Sequence, residues 1–173
     1  MELLENRDQW STDFRAGWLK AYDESGKPDW DTYPRPRNKV VPSGRAVDLT
    51  KSRLMLISSA GGYLRESQEP FAAADVLGDY SIRTFPVATP FGELAYAHDH
   101  YDHADVDADP QTVLPLRHLE TMVAEGAIGE LTPSVVSFMG YQPDITRVVD
   151  EIIPQVLAIA QSEQADAALL VPV

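Results

Sequence analysis

Arg53-Leu-Met-Leu-Ile-Ser-Ser-Ala-Gly-Gly62 is a short apolar run that stops at two glycines. A run of this length, uncharged after its first residue, suits a strand buried on both faces, and the glycines suit a tight turn at its end. Further strands are predicted downstream. Residues 80–85 alternate in polarity, Glu93-Leu-Ala-Tyr-Ala97 precedes a polar loop, and Ser134-Val-Val-Ser-Phe-Met139 ends at Gly140. Residues 167–173 read as a closing buried strand. Between them lie two amphipathic helices. The first is expected over residues 113–125, with Thr112 as N-cap, Pro115 in the first turn and Gly126 as its stop. Its buried face is Leu116, Leu119, Met122 and Val123, and His118 beside that face reads as a partly buried structural histidine. The second opens at Pro143-Asp144 with Asp144 as N-cap. Ile145, Val148, Val149, Ile152, Ile153, Val156 and Leu157 then recur at helical spacing. Pro154 removes one backbone hydrogen bond inside it and predicts a kink or local break. Buried strands alternating with such helices define an α/β fold, here a layered α/β/α sandwich with a mostly parallel sheet. Residues 51–173 form this α/β domain. Residues 1–50 supply an N-terminal helix and a Pro-rich arm packed on it, one domain overall.

The N-terminal helix is expected over residues 3–23, where Trp10, Phe14, Trp18 and Tyr22 recur every four positions. Such an aromatic stripe is core or subunit contact, and it is suited to closing a dimer, so a homo-oligomer is expected. Ser25-Gly-Lys-Pro28 ends the helix. Residues 29–42, with Pro34, Pro36 and Pro42, read as an extended arm pinned to the body by Trp30 and Tyr33.

Charge narrows the function. Twenty-seven acidic residues against 14 basic ones give a net charge of −13, a field that repels nucleic acid and anionic membrane surfaces. No cysteine is present, so the chain as given holds neither a disulfide nor a thiolate site. The first residues lack the basic and apolar regions of a signal peptide, and the apolar windows are too short to span a bilayer. A cytoplasmic location is expected.

The densest chemistry lies at His98-Asp-His-Tyr-Asp-His103, which holds three of the four histidines. Side chains alternate in an extended chain, so His98, His100 and Asp102 are expected to share a face. Together with His103 they are candidate general acids and bases, and equally a candidate zinc site. In a parallel sheet, ligands bind beyond the carboxyl ends of the strands. That edge would gather residues 59–62, the histidine cluster, Gly140-Tyr141 and the position after Val173. Ser59, Gly61, Gly62, Tyr101, Gly140 and Tyr141 are therefore candidate substrate-binding positions. Glycines at such a turn can bring backbone N–H groups to an anion, although the full dinucleotide fingerprint is absent.

Several ordered segments resemble the selenoprotein B family of glycine, sarcosine, betaine and D-proline reductases. They are Leu56-Ile-Ser-Ser-Ala-Gly-Gly-Tyr-Leu64, Glu69-Pro-Phe71, His98-Asp-His-Tyr-Asp102, Val113-Leu-Pro-Leu116, Glu125-Gly-Ala-Ile-Gly129, Ser137-Phe-Met-Gly140 and Asp166-Ala-Ala-Leu-Leu-Val-Pro-Val173. The resemblance implies reductive C–N cleavage of a small amino-acid-like or N-methylated amine by a selenolate or thiolate, with a reductase partner subunit. It also implies a selenocysteine or cysteine directly after Val173, a position this sequence does not have. A chain truncated at a selenocysteine codon, inactive alone, is one expectation, and a genuine short paralogue is another. Two other classes compete. His98-x-His100-x-Asp102-His103 spells the dinuclear metal motif of metallo-β-lactamase-type hydrolases, but no histidine follows His118 and the chain is short for that fold. A non-catalytic assembly module is the third reading.

Overall fold

The computed structural model describes residues 3–40, 44 and 46–173; the predicted arm's last residues, Val41 and Pro42, lie outside the described residues. Helix α1 covers residues 7–25, α-helical over Arg7–Phe14 and Lys20–Ser25 with a π-helical stretch at Arg15–Leu19. A four-residue spacing overshoots the 3.6-residue α-turn, so the aromatic stripe would drift around a regular helix. The wider π turn takes back that drift. Successive rings Trp10, Phe14, Trp18 and Tyr22 stack 5.0, 5.5 and 5.9 Å apart, within 16° of parallel. Gly26, at φ 67°, ends the helix and donates its N–H to the Tyr22 carbonyl.

Strand β1 (Arg53–Ser58) is central. Along one side it pairs in parallel with β7 (Ala167–Val171), from Leu54 opposite Ala167 to Ser58 opposite Val171. Along the other it pairs in parallel with β5 (Glu130–Leu131) and β6 (Ser134–Ser137). These last two behave as one strand interrupted at Thr132-Pro133, where proline has no N–H for the ladder. Thr132 still donates its N–H to the Leu54 carbonyl at 2.9 Å. β3 (Arg83–Pro86) closes that side, antiparallel to β6. The sheet is mixed but mostly parallel, and the fold is α/β.

The near-continuous apolar character of β1 follows from its two covered faces. Leu54 and Leu56 face the layer containing helix α2 (His103–Ala108) and helix α3 (Leu116–Ala124), meeting Val106, Leu114, Leu116 and Leu119. Met55 and Ile57 face helix α4, residues 145–162, meeting Val156, Ile159 and Ala160. Each such side chain contributes about 1.5–3 kcal/mol by leaving water. Asp144 caps α4, accepting the Thr146 N–H at 2.9 Å. The break expected from Pro154 takes the form of a π turn at Val148–Ile152, directly before the segment in whose first turn the proline sits.

Other expectations are corrected. Trp18, Phe14 and Trp10 are 0%, 2% and 7% exposed and pack on Tyr33, Val76, Ile145 and Val149. The stripe is intramolecular core, so these rings are not a dimer surface. The strand expected at residues 93–97 is β4 (Leu94–Tyr96), which leaves the main sheet to form an antiparallel ribbon with β2 (Gly62–Leu64). β7 is an exposed edge strand, not a buried one: Leu169 and Leu170 face solvent, as does Leu157 of α4. α3 starts at Leu116 because Thr112 belongs to a 3-10 turn, Pro110–Thr112, capped by Asp109. His118 and Met122 are exposed, on the outward side of that helix.

Of the two residues expected to pin the arm, Trp30 packs on Trp18 and Tyr141 and Tyr33 bonds the body, and Trp10 adds a further bond. Trp10 Nε1 donates to the Pro34 carbonyl at 2.6 Å and the Tyr33 hydroxyl to the Pro143 carbonyl at 2.9 Å.

Candidate functional site

Residues after β1 tie three strand ends together. Ser59 donates its N–H to the Val171 carbonyl (3.1 Å), accepts the Gly140 N–H on its carbonyl (2.9 Å) and accepts the Val173 N–H on Oγ (2.9 Å). Ser59, Gly140 and Val173 thus share the carboxyl edge of β1, β6 and β7, as the parallel pairing requires. Together with Ile57, Phe138 and Val171 they line a cavity of about 430 Å³.

His98 reaches this edge by a different route, from the β2–β4 ribbon. Gly61 sits at φ 69°, and a β-carbon there would collide with the Ala97 carbonyl. Its absence lets the two backbones close, with the Ala97 N–H donating to the Gly61 carbonyl at 3.0 Å. His98 is 3% exposed. Its Nδ1 accepts the His100 N–H at 3.1 Å, so the neutral ring carries its proton on Nε2. That Nε2 is buried without a partner among the described residues. A β-carbon at Gly140 would lie 3.2 Å from it and 3.1 Å from Ser59 Oγ, tighter than ordinary contact, so glycine lets the backbone there close on the His98 ring. An unsatisfied buried donor costs about 1–3 kcal/mol, a cost that a hydrogen-bonding ligand would relieve.

Burial, reinforced by His100 and His103, holds the His98 pKa below the ordinary imidazole range. The unfolded ring then protonates first as pH falls, so the folded state loses stability below the unfolded pKa of about 6.5. The loss continues down to the folded pKa. We expect denaturation midpoints to fall more steeply from pH 7 to pH 5 in the native chain than in His98→Gln. Parallel pH profiles would remove this reading of the ring as a buried neutral donor.

The rest of the cluster does not share a face, because residues 99–100 turn and His103 begins α2. Asp102 is the N-cap of α2, its carboxylate accepting the Ala104 N–H at 2.9 Å. His103 Nε2 is 2.8 Å from the His98 carbonyl, and its ring stacks on Tyr101 at 4.6 Å. Tyr101 donates its hydroxyl to the Ala60 carbonyl at 3.1 Å, and burial followed by the Asp107 charge pushes its pKa up to about 12. His100 is exposed and lies flat on Tyr141, with ring centroids 4.0 Å apart. No group of three or more metal-ligating side chains assembles among the described residues. The expected zinc set of His98, His100, Asp102 and His103 is dispersed, since Asp102 serves as a cap and His103 bonds a carbonyl.

The glycines also differ from expectation. Gly61 donates its N–H to the Phe138 carbonyl at 2.9 Å instead of offering it to an anion. Gly62 is buried, and a β-carbon there would touch Tyr96, Leu114 and Ser137. Sequence reasoning missed the Tyr96 hydroxyl and Ser137 Oγ, two more buried polar atoms without partners among the described residues. It also missed a second cavity of about 370 Å³, whose lining includes Trp30, Asp75, Asp99, His100 and Tyr141. A lone tryptophan among the prolines of the arm was the available signal for it.

A mostly parallel α/β sheet with a polar cluster at its carboxyl edge is the architecture of many small-molecule enzymes. The chain matches the family described as glycine/sarcosine/betaine reductase selenoprotein B (GRDB) over residues 25–167, and it belongs to that family. It is 27% identical over 123 residues to D-proline reductase subunit gamma of Acetoanaerobium sticklandii, covering 71% of this chain and 49% of that protein. It is 32% identical over 111 residues to sarcosine reductase complex component B subunit beta of Peptoclostridium acidaminophilum, covering 62% of this chain and 25% of that one. The chain therefore spans about half the length of the first relative and a quarter of the second. No solved structure matches it significantly.

Proposed function

We propose that this chain supplies the substrate-side part of a glycine/sarcosine/betaine/D-proline-type reductase component and works with a reductase partner subunit. The observation that supports this most directly is the carboxyl edge, where the unpaired His98 Nε2–H lies against Gly140 and Ser59, and Ser59 Oγ in turn holds the Val173 N–H. The family's chemistry, reductive C–N cleavage, takes its nucleophile from a selenolate or thiolate, which this reading places directly after Val173. This chain's own residues do the rest. Ser59 Oγ anchors the Val173 N–H and so fixes the backbone leaving β7. His98, neutral at pH 7, is a donor suited to an acceptor oxygen, such as the carboxylate of an amino-acid-like substrate. Tyr101 and His103 hold the His98 backbone in place by stacking and by the bond to its carbonyl.

The intact mass and selenium content of the protein from its native source test this reading. We expect a mass above the 19.1 kDa of this sequence, one selenium per chain, and co-purification with other reductase subunits. A selenium-free, cysteine-free protein of 19.1 kDa that purifies alone would remove both the nucleophile and the complex.

A further inference from the structure

Strand β7 ends the sheet on one side and is itself uncovered there. It pairs with β1 and with no other strand among the described residues. Its outer row of N–H and C=O groups is therefore open to pairing. Exposed edges are ordinarily blunted by lysine or another charge, or by proline. Ala167–Val171 contains none of these, and Pro172 falls just beyond it. Leu170 lies opposite Ile57 in the ladder, which puts it on the face covered by α4. It is 64% exposed, and Leu157 of α4 is 53% exposed. The stretch Ile153–Ser162 of α4 also carries no charge. The two charged residues between it and β7 are engaged within the chain, Glu163 accepting the Ser134 N–H and Asp166 the Arg53 N–H.

This is an apolar, charge-free strip on a chain of net charge −13. Two copies repel one another through that charge, and the repulsion is least where the contact itself holds none. A partner selected by its charge finds nothing to read on this face. An edge strand is also self-complementary, because two antiparallel copies exchange N–H and C=O groups across a two-fold axis. In that arrangement Asp166 of one copy lies toward the Pro172 end of the other, so the two carboxylates do not face each other. We propose that β7 pairs antiparallel with β7 of a second copy, joining the two sheets, with Leu157 and Leu170 of both copies packed together on the α4 side. Leu170 and Pro172 also line the cavity at the carboxyl edge beside Ser59 and Gly140, so the second copy adds an outer wall to it. The inference stands on this face alone and does not depend on the reductase reading.

Sedimentation equilibrium of the full chain tests it. The expected result is a reversible particle of twice the 19.1 kDa of one chain, formed as concentration rises. Leu170→Lys, at an exposed position, is expected to weaken association about a hundredfold, because each dimer loses two buried leucines. Leu157→Lys acts in the same direction from the helix and decides the matter if the first variant fails to fold. Met122→Lys is the control and should leave association unchanged, since Met122 is 40% exposed on α3, across the sheet from α4. Amide hydrogen exchange gives a second readout, with the outward N–H groups of β7 expected to exchange more slowly as the dimer forms. A monomer at every concentration, a dimer that survives both leucine variants, or equal weakening by Met122→Lys would each overturn the proposal. So would protected β7 amides in a single-copy particle from the native source, which would mean that another subunit or further chain covers the edge. A selenium-bearing protein that holds one copy keeps its reductase role and loses this interface.

Discussion

Trp18→Ala is expected to destabilise the folded chain by about 3–5 kcal/mol, the cost of emptying a large aromatic site in a core. Trp18 is 0% exposed and contacts Phe14, Tyr22, Trp30 and Tyr33 through its ring, so no neighbour can collapse into the space without abandoning another stack. Domains of this kind are stable by only about 5–15 kcal/mol in total, so the variant should lose a large share of its folded population margin. Chemical denaturation would show it as a lower midpoint with an unchanged slope. Trp18 Nε1 has no hydrogen-bond partner among the described residues. Trp18→Phe should therefore cost much less, since it gives up ring volume but no hydrogen bond. Equal losses in the two variants would mean that the indole contributes something other than packing.

Gly61→Ala should cost about 3 kcal/mol or more, from two sources that add. A residue with a β-carbon is strained at φ 69°, and this β-carbon would also strike the Ala97 carbonyl. Relief requires the Ala97–His98 backbone to move away from β1, carrying His98 Nε2 away from Gly140. The variant should thus lose the His98-dependent pH effect as well as stability. Gly126→Ala is the control, because that glycine has φ 75° but open space around its β-carbon position. It should show the backbone strain alone, about 1–2 kcal/mol. A Gly61 variant no worse than the Gly126 one would show that the ribbon and β1 are not in tight contact.

The parts of the fold legible in the sequence are those decided by local chemistry. The apolar run of β1, the Asp144 cap and the four-residue aromatic period needed no knowledge of distant residues. What was not legible depends on neighbours. β3 runs antiparallel and β4 leaves for a ribbon because of where their partners lie, not because of their own patterns. Leu157 and Leu170 read as core from periodicity alone, yet nothing described covers them. At the site, the His98 segment was identifiable by density of histidine, but an assumption of extended chain wrongly put His98, His100 and Asp102 on one face. Asp102, two residues before Ala104 in a run without β-branched residues until Val106, carries an N-cap signature that could have corrected it. Trp30 and Asp75 come together only through tertiary packing, and no spacing rule links them.

The position of β1 has a consequence for how the chain acquires its shape during translation. The full-length neighbour of β1, β7, lies more than a hundred residues later, with Arg53 bonded to Asp166 across a separation of 113 residues. Until β7 is synthesised, one edge of the central strand stays open while β5, β6 and α4 assemble around it. Pairings of such long range raise contact order and slow folding. The emerging chain therefore presents an apolar, unpaired strand edge while the residues between β1 and β7 are made, the kind of surface that chaperones hold and that other nascent chains can pair with.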